Sequence, residues 1–204
     1  MYLTRLRLDS RTAAARRDLA SAYDMHRTLS RAFAASDDAP PSRFLWRLDC
    51  MDAAQGEAVL LIQSEHAGYW HQLPAGYVLD SASKQVSLAA LLQDKRPYRF
   101  RLLANPTVSR AGKRYGLYDE AQQLAWLECQ LHKAGCVLNS VLRTRSERWT
   151  MRRKGQLITV QAVGFEGVLT IEQATQLQAA IRQGIGHAKA LGLGMLSVAP
   201  LSHG

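Results

Sequence analysis

Strand and helix signals recur along the 204 residues in the order β-α-β-β and then β-α-β-β-α-β. That order predicts an α+β fold of two tandem ferredoxin-like (βαββαβ) domains. Apolar residues make up 47% of the chain, enough to fill two cores. The charge balance changes abruptly at the Pro97-containing stretch "LLQDKRPYRF", which sets the expected domains at residues 1–93 and 94–204. No repeat relates the halves at the level of sequence; they share only the order of elements.

The first strand is expected in "YLTRLRL", where Leu3, Leu6 and Leu8 are interleaved with arginines. Asp9 or Ser10 is then read as the cap of one long helix running to about Ala35. "DDAPPS" reads as a loop, and "RFLWRLD" and "EAVLLIQSE" as strands. Tyr69–Leu73 reads as short helix or irregular chain, with a strand from Val78. In the second half "YRFRLLANPTVSR" reads as one strand and "GKRYGLY" as a hairpin arm. Asp119 caps a helix with Leu124, Leu127 and Leu131 at helical spacing, and Gly135 ends it. "CVLNSVLR", "ERWTMRRKG" and "LITVQAVGFEGVLTI" are strand material, "IEQATQLQAAIRQG" is a helix and "GMLSVAPL" a closing strand.

Several function classes are excluded early. No apolar run approaches the ~18 residues of a membrane span, and "MYLTRLRLD" is a charged, alternating segment unlike a signal peptide. Cys50, Cys129 and Cys136 are odd in number and lack a C-x-x-C pair. They suggest neither a disulfide framework nor a zinc site. A cytoplasmic protein with reduced thiols and without metal or cofactor is expected.

The net charge is +9, and its distribution says more than its sum. Residues 1–94 carry 10 basic and 11 acidic side chains, residues 95–154 carry 14 and 4, and residues 155–204 carry 2 and 2. Concentrated in one segment, the excess reads as a footprint for a polyanion, with an acidic protein surface or a solvated face as the alternatives. Within it "RTRSERWTMRRKGQ" groups Arg143, Arg145, Arg148, Arg152, Arg153 and Lys154. That stretch is either an edge-protecting hairpin or an arm along a nucleic-acid groove. Alternation places Arg148 and Arg152 on one strand face and Arg153 on the other unless the strand has ended. "GIGHAKALGLGML" holds Gly184, Gly186, Gly192 and Gly194 with His187 and Lys189. It is neither a dinucleotide fingerprint nor a P-loop, and reads as a turn or as a loop whose N–H groups meet phosphate.

"AYDMHRTLSRAF" raises a separate question. Leu19, Ala22, Leu29 and Phe33 form an apolar helical stripe, and His26 stands in its middle. Tyr23 and Ser30 are its neighbours on the helix surface. The imidazole is either a satisfied core histidine or a catalytic group at the edge of a cleft.

Taken in order, "YDMHRTLSRAF", "VQAVGFEGVLTI" and "GIGHAKALGLGMLSVAP" resemble the CasE family, the CRISPR repeat-processing endoribonucleases of the type I-E Cascade complex. The resemblance runs from "MYLTRLRL" to "LSVAP". It implies two ferredoxin-like domains that bind the stem-loop of CRISPR repeat RNA. It also implies a single metal-independent cut at the 3′ base of the stem, after which the protein stays bound among other Cascade subunits. A monomer is expected when free. The family's Tyr-x-x-His maps onto Tyr23 and His26, and a basic residue further along, often Lys in relatives, maps onto Arg31. Its basic hairpin maps onto Arg152 and Arg153. A guanidinium at position 31 can stabilise a phosphorane but does not exchange protons near neutral pH. The implied chemistry is attack by the ribose 2′-hydroxyl, with His26 and Tyr23 serving proton transfer and Arg31 or Arg27 the developing charge. The competing reading is a non-catalytic RNA-binding subunit.

Overall fold

A computed structural model of the chain describes residues 1–36, 39–153 and 155–201, the side chains of Arg152 and Arg153 excepted. It resolves into two units, Met1–Val86 with Ala190–Gly192, and Ser87–Lys189 with Leu193–Gly204.

In the first unit β1 (Tyr2–Asp9) alternates faces, with Thr4, Leu6 and Leu8 buried and Arg5 and Arg7 outward. The buried phase runs through Thr4 rather than Leu3, and the Thr4 hydroxyl is 2.8 Å from that of Ser83. Leu6 faces Leu60 across the antiparallel ladder, both at 0% exposure. The strands β2 (Phe44–Asp52), β3 (Glu57–Ser64) and β4 (Val78–Gln85) complete a sheet in the order β2-β3-β1-β4.

The long helix expected after β1 is two helices, α1 (Ala13–Ala20) and α2 (Ala22–Arg31). Thr12, not Asp9 or Ser10, caps α1 through its side-chain oxygen. Ser21 makes the break. It is extended, φ −142°, donates its N–H to Asp18 O, and accepts from Asp24 N at 3.3 Å as the cap of α2. Ala15, Met25, Leu29 and Phe33 then cover Leu6, Leu8, Leu60 and Ile62. Each fully buried leucine contributes about 1.5–3 kcal/mol. Between β3 and β4 only a 3-10 turn, Trp70–Gln72, stands where the ferredoxin-like pattern has its second helix.

In the second unit a short helix α3 (Leu88–Leu91) leads to β5 (Pro97–Ala104), and β6 (Thr107–Arg110) pairs with β7 (Lys113–Gly116). The single strand expected over 98–110 is therefore two. Pro106 brings no donor to a ladder, and the Asn105 side chain leaves to accept from Gln161 N at 3.2 Å. Next come α4 (Glu120–Lys133), β8 (Cys136–Arg153), β9 (Gln156–Ile171), α5 (Ala174–Gln183) and β10 (Leu196–Pro200). Asp119 caps α4 as expected, accepting from Gln122 N at 3.0 Å. Gly135 ends it at φ +73°, where a Cβ would lie 2.8 Å from Gln173 O, so only glycine fits. The sheet order is β10-β5-β9-β8. Numbered within each unit both sheets read 4-1-3-2, the ferredoxin-like order. Phe100, Leu102, Phe165 and Leu169 of the sheet are buried, as are Leu127, Leu131, Leu177 and Ile181 of the helices.

Candidate functional site

In the first unit α2 carries Tyr23, His26, Arg27 and Arg31. The His26 ring stacks on Phe44 of β2, centroids 5.0 Å apart and planes at 24°. Phe44 stacks on Phe33 at 4.5 Å, and Phe33 meets the edge of Trp70 at 5.5 Å. The imidazole is half-buried, and its Nδ1 is enclosed without a hydrogen-bond partner. An enclosed ring nitrogen left bare costs about 1–3 kcal/mol. Burial holds the pKa of His26 below its ordinary value of 6.5, so the ring is neutral at neutral pH. A neutral ring held against an apolar shelf is in the form that accepts a proton.

Tyr23 lies one helical turn before His26 and is half-buried. Arg27 pairs with Asp24 at 2.8 Å on the helix surface. Arg31 is exposed at the last residue of α2. A cation there suits the negative end of the helix and is open to an incoming anion. Ser30 does not orient the imidazole: its hydroxyl donates to the His26 carbonyl at 2.7 Å. Sequence reasoning missed Phe44. The alternation in "RFLWRLD" marks it as a core residue, but nothing local says that it faces α2.

In the second unit β8 is one strand through Arg153; its register against β9 shifts at Leu138/Ser140 and again at Arg143/Arg145, and ends by pairing Arg152 with Leu157 and Arg153 with Gln156. Lys154 lies outside the described residues. Arg145 and Arg148 are exposed. The stem of Arg145 lies against Gly164, and the guanidinium of Arg148 sits 5.2 Å from the Tyr118 ring centroid. Arg143 is instead committed to α4, donating to Gln123 Oε1 at 3.1 Å and Glu120 Oε2 at 2.6 Å. Trp149 is half-buried and donates to Glu147 Oε2 at 3.1 Å.

The glycine-rich stretch is a loop built on backbone contacts. Gly184 closes α5, and Gly186 lies beside Trp126. Gly194 has φ +90°, and a Cβ there would meet Ile185 O at 2.5 Å. Lys189 Nζ donates to Gly186 O at 2.6 Å, so its ammonium braces the loop from within. His187 is exposed; partial desolvation and then the like charges of Arg114 and Lys189 hold it below its usual pKa. Sequence reasoning left Arg114, on β7, out of this cationic group. Its signal was the run "GKR" inside the basic segment.

Among the described residues no group of three His, Cys, Asp or Glu side chains could hold a metal ion. No helix among them is long and apolar enough to cross a membrane.

Comparison with known proteins fits this arrangement. The chain is 39% identical to the CRISPR-associated endoribonuclease Cse3 of Thermus thermophilus, over 98% of this chain and 100% of the relative. It is 34% identical to the CRISPR system Cascade subunit CasE of Escherichia coli, again over 98% and 100%. Its fold superposes on CRISPR endoribonuclease Cse3 bound to a 19-nucleotide RNA with a TM-score of 0.88 at 39% identity, covering 98% of this chain and 100% of that one. Residues 1–200 match the family described as CRISPR associated protein, and to that family the chain belongs.

Proposed function

We propose that the chain is an endoribonuclease that binds the stem-loop of a CRISPR repeat transcript and cuts once at the 3′ base of the stem. It then remains on the guide RNA as a Cascade subunit. The observation that carries the reading is the seat of His26, a neutral imidazole on Phe44 with Tyr23 one turn away. The named activity of the Cse3 relative and the Cascade membership of the CasE relative support it.

The 2′-hydroxyl of the ribose 5′ to the scissile phosphate is the nucleophile. Neutral His26 accepts its proton, and Tyr23 hydrogen-bonds and orients the reacting groups. Arg31 faces the charge that develops on the phosphorane, with Arg27 available if it leaves Asp24. The P–O5′ bond breaks and the 5′-oxygen takes a proton through Tyr23, leaving a 5′-hydroxyl on one product and a cyclic phosphate on the other; His26 afterwards gives up the proton it accepted, restoring both groups. Arg145, Arg148, Arg152 and Arg153 on the ribbon of the second unit, together with Lys154, contact phosphates of the A-form stem. The loop carrying Gly184, Gly186, His187 and Lys189 holds the strand.

The test is a repeat stem-loop with a single 2′-deoxy substitution 5′ of the cleavage site. It should bind as the ribose form does and remain uncut. Cutting of that substrate would assign the attack to water and overturn the mechanism.

A further inference from the structure

Apolar contact is only part of what holds α2 in place. Asp18, in the last turn of α1, is 1% exposed, and both of its carboxylate oxygens are bonded. Arg17 Nε donates to Oδ1 at 2.8 Å and the Tyr77 hydroxyl to Oδ2 at 2.9 Å. The same two partners reach α2. The Arg17 guanidinium donates to Thr28 Oγ1 at 3.0 Å, and the Tyr77 hydroxyl lies 3.3 Å from Met25 Sδ. Met25 and Thr28 are themselves buried and stand one residue before and two after His26. Tyr77 is fixed in turn, since Asp9 N donates to its carbonyl at 3.1 Å and its own N–H donates to Pro74 O at 3.0 Å.

An ion pair between the buried Asp18 carboxylate and the half-exposed Arg17 guanidinium is a poor adhesive, because solvent screens the charge on one side while the other has lost its hydration. What it adds is direction. A hydrogen bond weakens steeply as its length and angle change, whereas an apolar contact tolerates a small slide. Groups at the outer radius of a helix, about 5–6 Å from its axis, move by about 1 Å for a rotation of roughly 10°. Burial and the neighbouring carboxylate raise the Tyr77 pKa, so its hydroxyl donates throughout the working pH range.

We propose that Arg17, Asp18 and Tyr77 are positioning residues for RNA cleavage, fixing the rotation of α2 about its axis and so the placement of Tyr23 and His26. The proposal rests on the endoribonuclease reading. Neither Arg17 nor Tyr77 touches the reacting atoms; both act through Met25 and Thr28.

The experiment measures three quantities on each preparation: the single-turnover rate at saturating protein, the dissociation constant for repeat RNA, and the melting temperature. Rates are taken well below every melting point. Tyr77→Phe and Arg17→Ala should each slow the saturated rate by about 10–100-fold, the scale set by a misplacement of about 1 Å, with RNA affinity within about twofold of wild type. Arg17→Lys should recover part of the loss, since an ammonium can pair with Asp18 without forking to Thr28. The Arg17→Ala/Tyr77→Phe double variant should fall little below the slower single variant, because the three residues act as one unit. If Arg17→Ala fails to fold, Tyr77→Phe decides alone, as it keeps the ring's packing. Lower melting temperatures with unchanged saturated rates would overturn the proposal, as would losses that multiply in the double variant. Absence of cutting by the wild type would instead refute the endoribonuclease reading, and the positioning role with it.

Discussion

His26 is the residue whose environment says most about its work. Its unpaired Nδ1 and its stack on Phe44 describe a ring held neutral and half-buried, at some expense to stability. His26→Ala should slow single-turnover cleavage by about 10²–10⁴ while leaving RNA affinity nearly intact, because the loss falls in the transition state. Tyr23→Phe should cost less, since the ring remains. A purely structural histidine would show the reverse: an early melt and near-normal cutting by the folded fraction. The depressed pKa makes a second prediction. The unfolded chain binds the His26 proton more tightly than the folded one. The stabilisation is therefore full above the ordinary value of 6.5 and is lost as pH falls from there through the folded value. His26→Gln should flatten the change in melting temperature between about pH 7.5 and pH 5.5. At this scale the sequence was informative about Tyr23 and His26, because their relation is local to one helix. It was silent on Phe44, which comes from a strand eighteen residues later and meets the ring only through tertiary packing.

At the scale of elements, the legible signals were those that punctuate the backbone. Asp119 and Gly135 bound α4 where the sequence placed them, each through its own capping geometry. The break at Ser21 went unread because it contains neither glycine nor proline. Its signal was the Ser-x-x-Asp spacing, a hydroxyl placed to accept from the N–H three residues on. Pro106 was the unread signal for dividing β5 from β6. Gly135→Ala should lower stability by about 1–3 kcal/mol, since it combines a left-handed backbone with a close contact to Gln173 O. For a chain of this size that is a fall in melting temperature of roughly 2–4 °C per kcal/mol, readable by calorimetry. The capping boundaries thus decide which residues share a helix, and hence that Tyr23 and His26 share α2 while Arg17 and Asp18 stand on α1.

For the molecule as a whole, the charge map is the dominant fact. The excess is confined to residues 95–154, which belong to the second unit, while the proposed site on α2 belongs to the first. Binding and chemistry should therefore respond to different substitutions. Arg152→Ala with Arg153→Ala should weaken stem-loop binding and reduce the slope of log K against log salt by roughly 0.7–0.9 for each lost phosphate contact. Arg5→Ala with Arg16→Ala removes the same charge from the first unit and should leave that slope nearly unchanged. Equal behaviour of the two pairs, measured by salt titration, would move the footprint elsewhere. Chelation offers an independent check. Because the nucleophile belongs to the RNA itself, cutting should persist in excess EDTA; a loss restored by magnesium would contradict the mechanism.

The aromatic column from His26 through Phe44 and Phe33 ends at Trp70, and an indole is a chromophore. The state of the column is therefore open to fluorescence, isolated as the difference between the wild type and Trp70→Phe. Phe33→Leu removes the middle ring and should shift the Trp70 emission and slow cutting together, although position 33 lies beyond the end of α2. Changes confined to the basic ribbon should leave the emission where it is. One tryptophan thus gives the imidazole's seat an optical signal that can be followed in real time as RNA is bound, cut and retained.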